Sequence, residues 1–258
     1  MVKNFKLIIE YDGTQYHGWQ RQPNGPSIQQ TIEEAIETMT RRKITLIGSG
    51  RTDAGVHALG QTANFRCETR LEPEEIQRGL NSLLPNDIVI RQCQAAHPEY
   101  HARYDVQRKR YRYWILNQHL PSAIGRQYCW WIRTPLDVAA MQQAADCLLG
   151  EHDFKAFEAT GSPRGHTCRH VMQARWERQS RGRITFDISA NGFLRYMVRN
   201  IVGTLVWVGL HRVTPERFQE VLNAMDRTRA GATAPAHGLF LMEVIYPQDP
   251  PEDLPRSE

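Results

Sequence analysis

The residue types best suited to chemistry cluster in Gly48-Ser-Gly-Arg-Thr-Asp-Ala-Gly-Val-His57. Glycines at 48, 50 and 55 let the backbone take positive φ and let a ligand come close. Two phosphate-loop readings fail. A P-loop ends in Gly-Lys-Ser/Thr, which is absent, and a dinucleotide fingerprint starting at Gly48 needs glycine where Asp53 stands. The loop instead offers an arginine and a carboxylate. Arg51 and Asp53 lie two apart, so in an extended segment they share a face. An arginine there keeps Asp53 ionised, and a positioned carboxylate can add covalently or remove a proton. The plainer alternative is that Asp53 serves the turn Asp-Ala-Gly and Arg51 is solvated.

Arg108-Lys-Arg-Tyr-Arg-Tyr-Trp114 is the second such stretch. As a strand it puts Arg108, Arg110, Arg112 and Trp114 on one face and Lys109, Tyr111 and Tyr113 on the other. Basic residues interleaved with aromatics suit a groove that tracks a nucleic-acid backbone and stacks its bases. A half-buried strand with a solvated basic face is the alternative. In Asn191-Gly-Phe-Leu-Arg-Tyr-Met-Val-Arg-Asn200, Arg195 and Arg199 are spaced i, i+4 on a helix suited to burial. An arginine there wants a carboxylate partner, unless it forms a surface pair or snorkels. His166, Cys168 and His170 alternate and could share a strand face as metal ligands, but no fourth ligand is evident, and no metal is expected. The loop Tyr11 to Gln20 fits a ligand-facing or an ordinary packed loop equally well.

These motifs need a frame. Phe5–Tyr11, Ile44–Ile47, Gln61–Cys67, Asp87–Cys93, Arg108–Leu116, Val171–Gln179, Arg183–Ser189 and Leu239–Tyr246 read as strands. A helix begins at Ser27, paired with Gln30 as a capping box, and carries Ile28, Ile32, Ala35, Ile36 and Met39 at helical spacing. Further helices run from Glu72 to Leu84, from Asp137 to Gly150, from Leu194 to Leu210 and from Thr214 onward. Strands and helices mix in both halves, which argues α/β or α+β. The polar stretch Ala95 to Asp105 is the best boundary, giving domains 1–104 and 105–247. Residues 248–258 form an acidic, proline-rich tail expected to be disordered.

Composition limits the partners. The chain of 258 residues is 41% hydrophobic, which excludes wholesale disorder. Net charge is +4, carried by 27 arginines against five lysines, and without the tail the body carries +7. Arginine forks suit phosphates and base edges. Five cysteines with no CxxC argue against a disulfide scaffold and for a reducing cytosol. No signal peptide is visible, and the longest apolar run, Ile201 to Leu210, is about half a bilayer span, so no membrane is expected.

Four motifs taken in order resemble the tRNA pseudouridine synthase A family. They are Tyr11-Asp-Gly-Thr with Gly18-Trp-Gln, Gly50-Arg-Thr-Asp-Ala-Gly-Val-His-Ala58, Arg110-Tyr-Arg-Tyr113, and Phe193-Leu with Met197-Val-Arg-Asn200. The resemblance spans nearly the whole chain, to about Pro247. It implies an α+β protein of two halves, each like a ferredoxin or RNA-recognition fold, with mainly antiparallel sheets joined across a central active-site cleft. It implies isomerisation of uridine to pseudouridine at positions 38, 39 and 40 of tRNA, in a homodimer without metal or organic cofactor; with the cysteine usage, a cytoplasmic location is expected. By the same resemblance Asp53 is the nucleophile, Arg199 pairs with it, and Arg51 helps extrude the base. Tyr111 stacks on the target base, with Arg110 and Leu194 beside it in the substrate site. A non-catalytic RNA-binding protein is the alternative from another class, and a carboxylate in a phosphate-rich cleft counts against it.

Overall fold

The computed structural model describes residues 2–161 and 166–247. The expected tail at 248–258 lies outside the described residues. In chain order the elements are β1 (Val2–Tyr11), α1 (Ile28–Thr40), β2 (Ile47–Gly48), β3 (His57–Glu68), α2 (Pro73–Leu83) and β4 (Ile88–Ala96). Then come β5 (Arg108–Asn117), β6 (Trp130–Ile132), α3 (Val138–Asp146), β7 (Gly150–Asp153), β8 (Cys168–Arg178), β9 (Arg183–Ala190), α4 (Met197–Gly209), α5 (Pro215–Ala224) and β10 (Leu239–Ile245).

The helices other than α4 start where local chemistry says they should. Ser27 Oγ accepts the Gln30 N–H at the start of α1, and Ile28, Ile32 and Ile36 are fully buried on one face. Pro73 opens α2 behind a Glu72–Glu75 capping box. Thr214 caps α5 ahead of Pro215. α4 is buried nearly all round, as its apolar composition requires. It starts at Met197 and not at Leu194, because Tyr196 takes a left-handed conformation (φ 63°) that no helix can include. Arg195 therefore lies ahead of the helix.

All the strands join one sheet, in the order β4-β1-β3-β10-β5-β9-β8-β7, with β2 on β3 and β6 on β5. Pairing is antiparallel except for β3/β10 and β5/β6. The class is α+β. The parallel β3/β10 contact joins the halves, with Phe240 opposite His57 and Leu241 opposite Ala58. β3 starts four residues before the expected Gln61, and it is this extra length that reaches β10. The strand expected at Ile44–Ile47 shrinks to β2. β6 and β7 were not anticipated: three and four residues are too few for a period to show.

Apolar side chains fill one face of the sheet. Phe5 stacks on Phe65 at 5.2 Å, and Trp176 on Phe186 at 4.7 Å. β5 divides cleanly. Tyr111, Tyr113 and Ile115 are buried, while Arg108, Arg110, Arg112 and Trp114 on the other face are half-buried.

The segment between β4 and β5 is an ordered strap. Asn4 Nδ2 donates to the carbonyls of His97 (2.9 Å) and Tyr100 (3.0 Å). Asn64 donates to Asn4 Oδ1 at 3.0 Å and accepts the Ala102 N–H at 2.9 Å. Tyr246 OH closes the strap from β10's end, donating to Ala102 O at 2.7 Å. Buried polar groups are costly to orphan. Asn64→Ala is expected to destabilise the fold by about 1–3 kcal/mol and to speed amide exchange in residues 97–105. Urea melts and exchange rates equal to the parent's would show that the strap is held without Asn64.

Candidate active site

The loop between β2 and β3 carries Asp53, and short bonds to β3 and β1 and one within the loop fix it. Ser49 N–H donates to Thr62 O (2.8 Å) and Ser49 Oγ to Gln61 Oε1 (2.7 Å). Gln61 Nε2 returns to Gly50 O at 3.0 Å. Thr52 Oγ1 shares a hydrogen bond with Tyr11 OH at 2.8 Å, and Val56 N–H closes the turn onto Asp53 O at 3.1 Å. Gln61, a polar residue amid Ala58, Leu59, Ala63 and Phe65, carries its own signal in the sequence.

The loop after β1, open to two readings from sequence, packs onto the Asp53 loop. Trp19 N–H donates to Thr52 O at 3.1 Å and Gly55 N–H to Tyr16 O at 3.3 Å. Gly18 has φ +92°, and a Cβ there would stand 2.6 Å from Thr52 O. A Cβ on Gly13 would collide with the Val56 carbonyl. Glycine is required at both positions because backbone meets backbone.

Across the cleft stands α4. Arg199, in its first turn, donates from Nη1 to Asp53 Oδ2 at 3.1 Å and from Nε to Ala234 O at 2.8 Å. The two side chains keep 14% and 23% of their surface exposed, so the pair is sheltered yet reachable. Burial pushes the Asp53 carboxyl above the usual aspartate range, and Arg199, with Arg195 behind it, pulls it back towards ionisation. Tyr196 carries both guanidiniums over its ring, Arg195 at 4.9 Å and Arg199 at 4.8 Å.

The arginine that holds Asp53 is thus Arg199 and not Arg51, as the local spacing suggested. Arg51 is exposed, and its Nε donates to Gln20 Oε1 at 2.9 Å. The loop is not a continuous extended strand through 51–53, so the two-residue alternation does not apply.

Tyr111 is 8% exposed and meets Phe193 edge-on at 5.0 Å. Burial, with Tyr11 and Asp53 nearby, holds its phenol well above the usual tyrosine range, so it is protonated. Leu194 is buried in the turn that leads into α4, where its carbonyl accepts the Met197 N–H at 3.2 Å. Arg110 is not brought to this group. It lies on the opposite face of β5, with Nε 2.6 Å from Glu243 Oε1 and Nη1 3.7 Å from Asp187 Oδ1.

His57 ends the Asp53 loop and touches both halves. Its Nδ1 meets the Gly13 N–H at 3.1 Å, its Nε2 lies 3.2 Å from Gln127 O, and its face stacks on Phe240 at 4.7 Å. Tyr128 OH adds a bond to Asp12 Oδ2 at 2.7 Å. Neither Gln127 nor Tyr128 stood out in the sequence. His166 sits beside the Arg169 guanidinium, and among the described residues no three His, Cys, Asp or Glu side chains gather as metal ligands.

A family model described as tRNA pseudouridine synthase matches residues 7–105 and 144–247. The chain is 45% identical over 245 residues to tRNA pseudouridine synthase A of Thermoanaerobacter sp. (strain X514), covering 95% of this chain and 100% of that one. It is 46% identical over 245 residues to tRNA pseudouridine synthase A of Acetivibrio thermocellus, with the same coverage. To the protein of that name in Bdellovibrio bacteriovorus it is 42% identical over 254 residues, 96% and 97% of the two chains. With matching motifs on both walls of one cleft and an aspartate held there by an arginine from the other half, the chain belongs to the tRNA pseudouridine synthase family.

Proposed function

We propose that this protein isomerises uridine to pseudouridine in tRNA, at positions 38, 39 and 40 of the anticodon stem-loop, with Asp53 as the nucleophile. The observation that carries this reading is the Asp53–Arg199 pair, a sheltered carboxylate whose burial raises its pKa and whose guanidinium partner opposes that rise. The N1–C1′ bond breaks and a C5–C1′ bond forms. The C5 proton leaves and N1 takes one up, so the sum needs no electron donor or acceptor. Both routes open to Asp53, addition to the uracil ring or to the sugar C1′, start from the ionised carboxylate.

The target base has to leave its stack to reach Asp53. In this reading Arg51, exposed on the Asp53 loop, fills the space the base vacates. Tyr111 and Phe193 offer ring surface to the extruded base, and Leu194 backs the turn that carries Phe193. Arg110 acts on substrate at most from the other face of the sheet. Its pairing with Glu243 and Asp187 favours a role in holding β5 and β10 together. The sequence resemblance and the cysteine usage support two further parts of this reading. The protein works as a homodimer, and it resides in the cytoplasm, where five unpaired cysteines are at home. Among the described residues no helix is long and apolar enough to cross a membrane.

Asp53→Asn tests the nucleophile directly. Asn is nearly isosteric, so the variant is expected to fold and bind tRNA yet lose pseudouridine formation by at least about 10⁴-fold. Turnover like the parent's would end the proposal, and a purely RNA-binding protein would lose nothing. Arg199→Met removes the charge that draws the Asp53 pKa down. The acid limb of the kcat/KM profile is then expected to move to higher pH, because the carboxylate is protonated sooner as the solution is acidified. An unmoved acid limb would separate Arg199 from Asp53 ionisation. Sedimentation of the full chain is expected to give about twice the 29.8 kDa chain mass, and a monomer at micromolar concentration would refute the dimer.

A further inference from the structure

Arg199 is held from behind as it reaches for Asp53. Its Nε donates to Ala234 O at 2.8 Å, while Nη1 donates to Asp53 Oδ2 at 3.1 Å. The Ala234 N–H in turn donates to Arg199 O at 3.1 Å. Ala234 thus grips both the backbone and the side chain of Arg199. A guanidinium is planar and rigid, so its aim follows the position of that one carbonyl.

Ala234 belongs to residues 230–235, which join no helix or strand. A backbone without a ladder has to be placed by other bonds. This segment lies directly on α4. A Cβ on Gly203 would collide with the Ala232 carbonyl, and one on Gly231 would stand 2.9 Å from Gly203 O. Gly231 N–H donates to Thr204 Oγ1 at 2.9 Å, and Thr204 Oγ1 donates to Asn200 O at 2.7 Å. Tyr113 OH holds the far end, donating to Pro235 O at 2.7 Å.

The side chain that joins these bonds is Arg227, between α5 and the segment. Its Nη1 donates to Ala230 O at 3.3 Å. Its Nη2 donates to Thr233 Oγ1 at 3.2 Å and to Asn200 Oδ1 at 3.1 Å. Thr233 Oγ1 donates to the same Asn200 oxygen at 2.6 Å. Asn200 is fully buried, follows Arg199 directly in α4, and sends Nδ2 to Phe157 O at 2.8 Å. One guanidinium therefore ties two points of the segment to the helix residue next to Arg199. The acid beside it in the chain, Asp226, goes elsewhere: Oδ2 lies 3.9 Å from Arg229 Nε, and Oδ1 accepts the Thr228 N–H at 2.9 Å. Arg227 is turned instead to carbonyl, hydroxyl and amide oxygens, where the fixed fork of donors is used for its geometry.

We propose that Arg227 is a positioning residue for the Asp53–Arg199 pair. It locks residues 230–235 onto α4, and the Ala234 carbonyl so placed aims Arg199 at Asp53. This rests on the reading of that pair as the reacting site. Arg227 bonds neither Asp53 nor Arg199, so its effect passes through the segment. The charges that act on Asp53 are those of Arg199 and Arg195.

The test titrates the Asp53 carboxyl by carbon-13 NMR of the aspartate-labelled full chain, with Asp53→Asn identifying its signal. A guanidinium that is less well aimed favours the carboxylate less. In Arg227→Met the midpoint is expected to rise by about half a pH unit or more, short of the roughly 1–3 that outright loss of an adjacent opposite charge gives. Thr233→Val removes one link without touching charge, and should move the midpoint the same way by less. Arg227→Lys keeps the charge and loses the fork, and should fall between the parent and Arg227→Met. Added to Arg199→Met, Arg227→Met should give no further rise, because it acts through Arg199.

If Arg227→Met titrates like the parent, the positioning role does not exist. A rise that Arg227→Lys abolishes and Thr233→Val does not share would be charge acting at a distance, and would overturn the role as well. Where Arg227→Met does not fold, Arg227→Lys and Thr233→Val decide by the same midpoints. Conversion of tRNA is read in parallel. Arg227→Met is expected to lower kcat about 10–100-fold, as a misplacement of about 1 Å does, and to leave Kd for tRNA unchanged. A weakened Kd at unchanged kcat would place Arg227 in RNA binding and overturn the proposal. A parent that converts no uridine sinks the synthase reading alone, since the midpoints still decide Arg227. Conversion by the parent with unmoved midpoints sinks the positioning role alone.

Discussion

An ion pair between residues 146 positions apart, Asp53 and Arg199, constrains everything else in this molecule. A carboxylate leaving water needs a counter-charge with good geometry, or it takes up a proton. Here the counter-charge comes from the far wall of a cleft. The fold must therefore hold a loop of the first half and a helix of the second in fixed relation, to within the tolerance of a hydrogen bond. Too little burial would leave Asp53 a weak, solvated carboxylate. Too much would leave it neutral. The partial exposure of both side chains is the compromise.

The single sheet meets that demand. β3 leads directly out of the Asp53 loop, and its first residues pair with β10, which is followed in the sheet by β5 and Tyr111. The Asp53 loop and the Tyr111 strand are thus two strands apart on one hydrogen-bonded lattice. α4 is fixed to the same lattice by burial on nearly every side, and its first turn can point Arg199 only where the helix allows. His57, lodged between Gly13, Gln127 and Phe240, locks the joint at the base of the loop. Close backbone approach at Gly13 and Gly18 presses the first loop onto the second, leaving the Asp53 turn few ways to relax.

β5 shows how one strand serves two purposes. Its outer arginines find carboxylates on β9 and β10 and become part of the sheet's own stability. Its inner face buries Tyr111 and Tyr113 and carries Lys109 to the Ser49 carbonyl. The alternation is a property of any strand. What differs between the faces is which neighbours each side chain meets, carboxylates on one and a loop carbonyl on the other, and only the packing decides that.

Caps, helical periods and the alternation of β5 were readable from sequence because each depends on residues a few positions apart. Ser27 and Gln30, Pro73 and Pro215 behave as local rules require. The four motifs also marked Asp53, Tyr111 and Arg199 by resemblance, without any geometry. Local spacing misassigned the partner of Asp53, choosing Arg51 two residues away over Arg199 on a distant helix. It placed Arg195 inside a helix that the left-handed Tyr196 keeps from starting. It gave no sign that Lys109 would meet the Ser49 carbonyl, or that Arg110 would be taken by Glu243 and Asp187. Those relations join segments tens of residues or more apart. Only closure of the whole sheet brings them together, because charge and hydrogen bonding act over a few ångströms of space and are indifferent to distance along the chain.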